Sequence, residues 1–228
     1  MLRAVIFDFN GVISDDEPLH FLALKTILGE EGIRITQEDY QHHFLGKDDR
    51  DCFREAHEFN RRNLSERQLN SLIQRKSDSY LRLVERNLRI FPGVLTFLEQ
   101  VYSACDLAIA SGALRREIDY VLERAGLKHY FCCIVTQEDV SQGKPHPEIF
   151  VKALTAINRR KDLPAPVIPE ECLVIEDSRA GVDAALAAGM RCLAVANSYT
   201  PQELSSAHKV LPSLEIGSDV VNQWIQEW

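Results

Sequence analysis

The chain is 228 residues long, enough for one large domain or a domain carrying an inserted lobe. Its hydrophobic fraction of 45% suits a globular protein with a core of its own, and a net charge of −8 weighs against a nucleic-acid or anionic-membrane partner, either of which would favour a basic patch. No apolar run approaches the ~20 residues that span a bilayer, and no signal-peptide pattern opens the chain, so a cytoplasmic monomer is the expectation.

The first element is AVIF (4–7), a short apolar run. From 16 to 88 no strand pattern follows. Amphipathic stretches fill that span instead, over 18–32, 36–46, 48–63 and 65–87. Thr36 and Ser65 each have an acid or amide three residues on, Asp39 and Gln68, which is the capping-box spacing. The α/β pattern resumes near FPGV (91–94), a turn that starts a helix. Four further apolar runs follow: LAIA (107–110), CCIV (132–135), CLVI (172–175) and CLAVA (192–196). None alternates with polar residues, as expected of strands buried on both faces of a parallel sheet. Helical patterns lie between them, over 116–127 (ending in Gly126), 147–157 (Pro147 in a first helical position) and 179–189 (ending in Gly189). The Pro-rich charged segment 159–171 reads as a surface loop. The expectation is a doubly wound, Rossmann-like parallel-sheet core over 1–15 and 89–228, with an α-helical domain inserted over 16–88.

None of the six cysteines forms a CxxC pair, which speaks against a zinc site. Cys132, Cys133, Cys172 and Cys192 fall in apolar runs and read as buried reduced thiols. That leaves Cys52 and Cys105 as candidates for a reactive one. The pair His42-His43 has no partner at metal-ligand spacing and reads as ordinary helix.

Ligands of open α/β sheets gather at the carboxyl ends of the strands. Asp8 follows the first run, Ser111 and Gly112 follow the second, Lys144 lies just beyond the third, and Glu176-Asp177 follow the fourth. Clustered carboxylates repel, and a hard divalent cation relieves that repulsion. Mg²⁺ with oxygen ligands from Asp8, Asp177 and Glu176 fits the donor set. Lys144 suits a phosphate or a phosphorylated aspartate, and Ser111-Gly112 read as the opening of a helix whose N–H groups favour an anion. Together these parts describe phosphoryl transfer to an aspartate.

In order and spacing, the four patches resemble the haloacid dehalogenase superfamily. DFNGV resembles its first motif D-x-D-G-[TV], ASGA its second, GKPHPEIF its third and VIEDSRAGVDAALAAGM its fourth. The last two stretches, with SDDEPLH, look most like the β-phosphoglucomutase-like and phosphoglycolate-phosphatase-like subgroup with a helical cap. The resemblance implies that Asp8 attacks phosphorus. It implies that Asp8, Asp177 and the residue-10 carbonyl bind Mg²⁺, with Glu176 assisting. Ser111 and Gly112 would hold phosphate oxygens and Lys144 would neutralise charge. GKDDRD (46–51) resembles the loop that selects a small phosphorylated metabolite, with Lys47 and Arg50 its contacts and His20 lining the hinge side. A solvated helix face accounts for Lys47 and Arg50 at least as well, and helix capping is the lesser alternative for Ser111.

Asn10 departs from the motif. The family's second aspartate protonates the leaving oxygen and later takes a proton from the attacking water, which an amide cannot do. Four readings stay open: a slow or specialised phosphatase or mutase, an acid replaced by asparagine in an otherwise active enzyme, a hydrolase of C–X or C–P bonds that needs no acid there, and a non-catalytic phosphate-metabolite binder. The first two together are favoured.

Overall fold

The computed structural model describes residues 1–160 and 165–215, together with 223, 225 and 227. Residues 161–164 of the expected surface loop lie outside the described residues. The chain forms two compact units, Met1–Asp15 with Arg89–Trp228, and Asp16–Leu88.

The first unit is built on a six-stranded parallel sheet among the described residues. Its strands are β1 (Ala4–Phe7), β2 (Asp106–Ser111), β3 (Cys133–Thr136), β4 (Cys172–Glu176), β5 (Arg191–Val195) and β6 (Lys209–Leu211). They lie in the order β3-β2-β1-β4-β5-β6. β1 is buried along its whole length between β2 and β4, which is why its sequence shows no alternation. One face of the sheet carries Ala4, Ile6, Ala108, Ala110 and Val174, packed with Phe150, Ala153, Val182 and Ala185. Those residues come from the helices Glu148–Asn158 and Arg179–Ala187. On the other face Phe7 meets Phe97 edge to face at 5.9 Å, Phe97 lying in the helix Val94–Tyr102. The alternation of runs and helices thus predicts the sheet correctly. The sixth strand is missing from that prediction, because its KVL is only three residues long and only half buried at the sheet edge.

Three local expectations need correction. Ser111 is the last residue of β2, paired in register with Thr136, and the following helix begins at Arg115 after Leu114. The ladder holds Ser111 extended, so it does not open a helix. Pro147 is the cap before a helix starting at Glu148 rather than its first residue. Cys132 is exposed and Cys133 half-buried, because β3 is an edge strand, whereas Cys52 and Cys105 are buried. Burial pushes the Cys105 thiol up to about 11 and Cys52 well above its ordinary range, so neither is the reactive thiol of the chain.

The second unit is helical: α1 (Glu17–Glu30), α2 (Gln37–Asp39) running into a π turn (Tyr40–Phe44), α3 (Asp49–Phe59) and α4 (Glu66–Asn87). The helices of the first unit are α5 (Val94–Tyr102), α6 (Arg115–Ala125), α7 (Glu148–Asn158) and α8 (Arg179–Ala187). Both predicted capping boxes form: Thr36 with Asp39, and Ser65 with Gln68. α4 packs against α1 and α3, burying Leu69, Leu72, Ile73, Tyr80 and Val84 at helical spacing.

Candidate active site

The chain lays β2 and then β3 on one side of β1 and then crosses to β4 on the other. The crevice beyond β1 and β4 is therefore the topological switch point of the sheet, where open α/β folds bind ligands. Asp8 extends β1 there and donates its backbone N–H to Ile175 O at 2.9 Å. Glu176 ends β4 and Asp177 follows it. Ligand oxygens of Asp8, Glu176 and Asp177 lie within 4.8 Å of one another, and all three residues are buried.

Lys144 enters this cluster from the loop after β3. Its Nζ stands 2.6 Å from Asp8 Oδ1 and 2.5 Å from Glu176 Oε1. Glu148 holds the loop in place, since its Oε2 accepts the N–H groups of Ser141 and Gln142, each at 3.0 Å. Burial pulls the Lys144 ammonium down, but Asp8 and Glu176 outweigh it, and the group is held above its ordinary range. Burial pushes the Asp8 carboxyl up, Lys144 opposes the shift, Glu176 adds to it, and the balance lies at about 6. Lys144 thus sits between two of three buried carboxylates. The closeness of these acids and the all-oxygen donor set fit a hard divalent cation.

The two acids after β4 play different parts. Glu176 Oε2 accepts the N–H of Asp177 at 2.9 Å, the N–H of Ser178 at 3.0 Å and the Ser178 hydroxyl at 3.0 Å. Its other oxygen takes Lys144, so Glu176 ties the lysine to the N-terminus of α8, whose dipole favours the carboxylate. Gly181 makes room for it, because a Cβ there would lie 1.8 Å from Glu176 Oε1. Asp177 instead leans on the turn after β1. Gly11, at φ +76°, would put a Cβ 1.9 Å from Asp177 Oδ2. Asn10, half-buried, is bridged to Ser14, and the Gly11 N–H donates to Ser14 O at 3.0 Å. Two residues unmarked by any motif complete this corner. Ser198 donates its hydroxyl to Asp177 Oδ2, and Asn197 Nδ2 donates to Gly11 O at 2.7 Å.

Ser111 and Gly112 stand at the same carboxyl edge, one strand over. Ser111 is buried, and its Oγ accepts the Ala113 N–H at 3.3 Å. His20, Lys47 and Arg50 belong to the helical unit. His20 stacks on Tyr80 at 4.2 Å and receives Lys76 Nζ at 2.6 Å; burial and then Lys76 hold its imidazole well below its usual range, hence neutral. Lys76 is itself buried and also meets Asp49 Oδ1 at 2.8 Å. Lys47 is exposed and Arg50 half-buried, and both are engaged within their own unit, Lys47 with Glu55, and Arg50 with Glu66 at 2.7 Å and Asn70 at 3.0 Å.

The profile of the haloacid dehalogenase-like hydrolases matches residues 5–195. A phosphorylated carbohydrates phosphatase of Thermotoga maritima is 34% identical over 193 residues, which cover 83% of this chain and 82% of that protein. A β-phosphoglucomutase of Bacillus subtilis is 28% identical over 198 residues, 85% of this chain and 83% of its own. Among solved structures, β-phosphoglucomutase from Clostridium difficile superposes with a TM-score of 0.86 at 26% identity, covering 100% of this chain and 98% of that one.

Proposed function

The chain belongs to the haloacid dehalogenase-like hydrolases, and from that premise we propose that it moves the phosphoryl group of a small phosphorylated sugar through an aspartyl-phosphate at Asp8. It is an enzyme of the phosphohydrolase and phosphotransferase kind. The observation that carries the reading is the buried cluster of Asp8, Lys144, Glu176 and Asp177 at the switch point of the sheet.

In this reading Asp8 Oδ attacks phosphorus and the bond to the sugar oxygen breaks. Lys144 offsets charge on the transferring group, and Ser111 with the adjacent Gly112 N–H binds its oxygens. Asp8, Asp177 and the Asn10 carbonyl would hold Mg²⁺, which when bound stabilises negative charge on the phosphoryl oxygens. Glu176 fixes Lys144 and the start of α8, and Ser198 and Asn197 fix Asp177 and the Gly11 turn. On the helical unit, His20, Lys47 and Arg50 are the candidate sugar contacts of this reading.

Asn10 limits the cycle. It keeps the backbone carbonyl but cannot pass a proton to the leaving oxygen or take one from water, so ordinary esters turn over slowly. The test is phosphate release from a panel of sugar phosphates and one aryl phosphate with Mg²⁺, for the chain as it stands and for Asn10→Asp. Slow release by the first and fast release by the second is the expected pattern. Silence from both across the panel would overturn the enzymatic reading in favour of a phosphate-metabolite binder.

A further inference from the structure

At the opposite end of the sheet from the acidic crevice, the two adjacent cysteines where the chain enters β3 do something unusual for an extended chain. Successive side chains of a strand point to opposite faces, which parts neighbouring thiols. Here Cys132 sits in the bend just before β3, its N–H donating to Leu107 O at 2.8 Å, and only Cys133 is in the ladder. Both sulfurs turn to one side and stand 3.9 Å apart, unbonded. Cys132 is exposed and Cys133 half-buried on an edge strand, so a reagent can reach the pair. The Arg160 guanidinium lies beside Cys132, itself paired with Asp106.

We propose that Cys132 and Cys133 form a bidentate thiol site for a thiophilic trivalent metalloid, the class represented by an organoarsenical R–As=O. Soft sulfur donors select soft acceptors, and two donors held together gain over one through their effective concentration. The reaction balances without a redox step. Two S–H bonds and the As=O bond break, two As–S bonds form, the oxygen leaves as water with both protons, and arsenic stays trivalent. Hydrogen bonding between the two thiols, with Arg160 beside them, brings the Cys132 thiol down to about 7, so the first sulfur is ready to attack at neutral pH. The other thiols do not compete, since Cys52, Cys105, Cys172 and Cys192 are all buried away from a reagent.

The experiment treats the full chain with phenylarsine oxide at neutral pH and reads intact mass and accessible thiols under native conditions. The expected result is a single adduct with loss of water and protection of two thiols. Excess 1,2-ethanedithiol should release it, while a monothiol at equal thiol concentration should not. Cys133→Ser and, separately, Cys132→Ser should weaken retention by about 10²-fold or more. Alkylation of Cys132 by iodoacetamide in Cys133→Ser, with an unchanged far-ultraviolet spectrum, checks that this variant folds. Phosphate release should be unchanged in both variants, since β3 begins at the edge away from the crevice. No adduct on the parent chain, an adduct mapped to another cysteine, or equal retention by either single variant would overturn the proposal.

Discussion

At Asn10 an amide stands two residues beyond Asp8, and in the proposed function it separates binding from turnover. Asn10→Asp is expected to raise kcat for sugar phosphates by about 10²–10⁴-fold with little change in KM, because the gain is a proton transfer and not a contact in the ground state. Steady-state assays of the two chains decide this. Asp8 gives a second handle. Its carboxyl is held up at about 6 against an ordinary 3.8, so the folded, metal-free chain binds that proton more tightly than the unfolded one. Stability from this group is therefore greatest below 3.8 and is lost as pH rises through about 6. A divalent cation favours the ionised carboxylate. Mg²⁺ binding near pH 5 should thus release a proton and be weaker, while near pH 8 it should release none from this group. Calorimetry in buffers of different ionisation heat reads both effects, and equal proton release at the two pH values would contradict them. Asp8, Lys144, Glu176 and Asp177 are legible in the sequence because each directly follows or lies just past an apolar run. Asn197 and Ser198 are not, since a lone amide and hydroxyl after a strand carry no spacing signal. Lys76 escapes for another reason: in an amphipathic helix it reads as a solvated position, and its burial depends on His20 and Asp49 brought from other helices.

At the scale of elements, the site depends on two close approaches rather than on side-chain chemistry alone. α8 lies so near Glu176, and the turn after β1 so near Asp177, that neither Gly181 nor Gly11 leaves room for a methyl group. Gly181→Ala and Gly11→Ala should each weaken Mg²⁺ binding by displacing a carboxylate. Gly11→Ala should cost more, because it also forces a left-handed conformation on alanine. Mg²⁺ titration of the folded variants measures this, and unchanged affinity in both would sink the account of the two glycines. In the helical unit, Ser65 caps α4 and Gln68 returns the bond. Ser65→Ala should cost about 1 kcal/mol, read as faster amide hydrogen exchange in the first turn of α4. Four of the five apolar runs announce their strands because burial on both faces removes polar alternation, while CCIV, on the edge strand β3, does so by its apolar composition alone. Boundaries move by a residue or so at their ends, where ladder hydrogen bonds and not composition decide, as at Ser111. β6 is hidden by its shortness, and the π turn at 40–44 by a periodicity that five residues are too few to register.

On the scale of the whole molecule, a parallel-sheet unit carries the acids and the lysine, and a helical unit carries His20, Lys47, Arg50 and the buried Lys76. No helix among the described residues is long and apolar enough to cross a membrane. In the proposed function, hydrolysis and transfer to a sugar hydroxyl differ in whether water reaches a phosphorylated Asp8. Everything in that account passes through a phosphorylated Asp8. The most direct measurement uses acetyl phosphate with Mg²⁺, because its leaving carboxylate needs no proton and so bypasses the deficiency at Asn10. Intact-mass and peptide analysis should find one phosphoryl group on Asp8 that persists in the chain as it stands. Asn10→Asp should release it as phosphate, and Asp8→Ala should acquire none. A chain that takes up no phosphoryl group, beside an Asn10→Asp variant that releases no phosphate, would contradict the account.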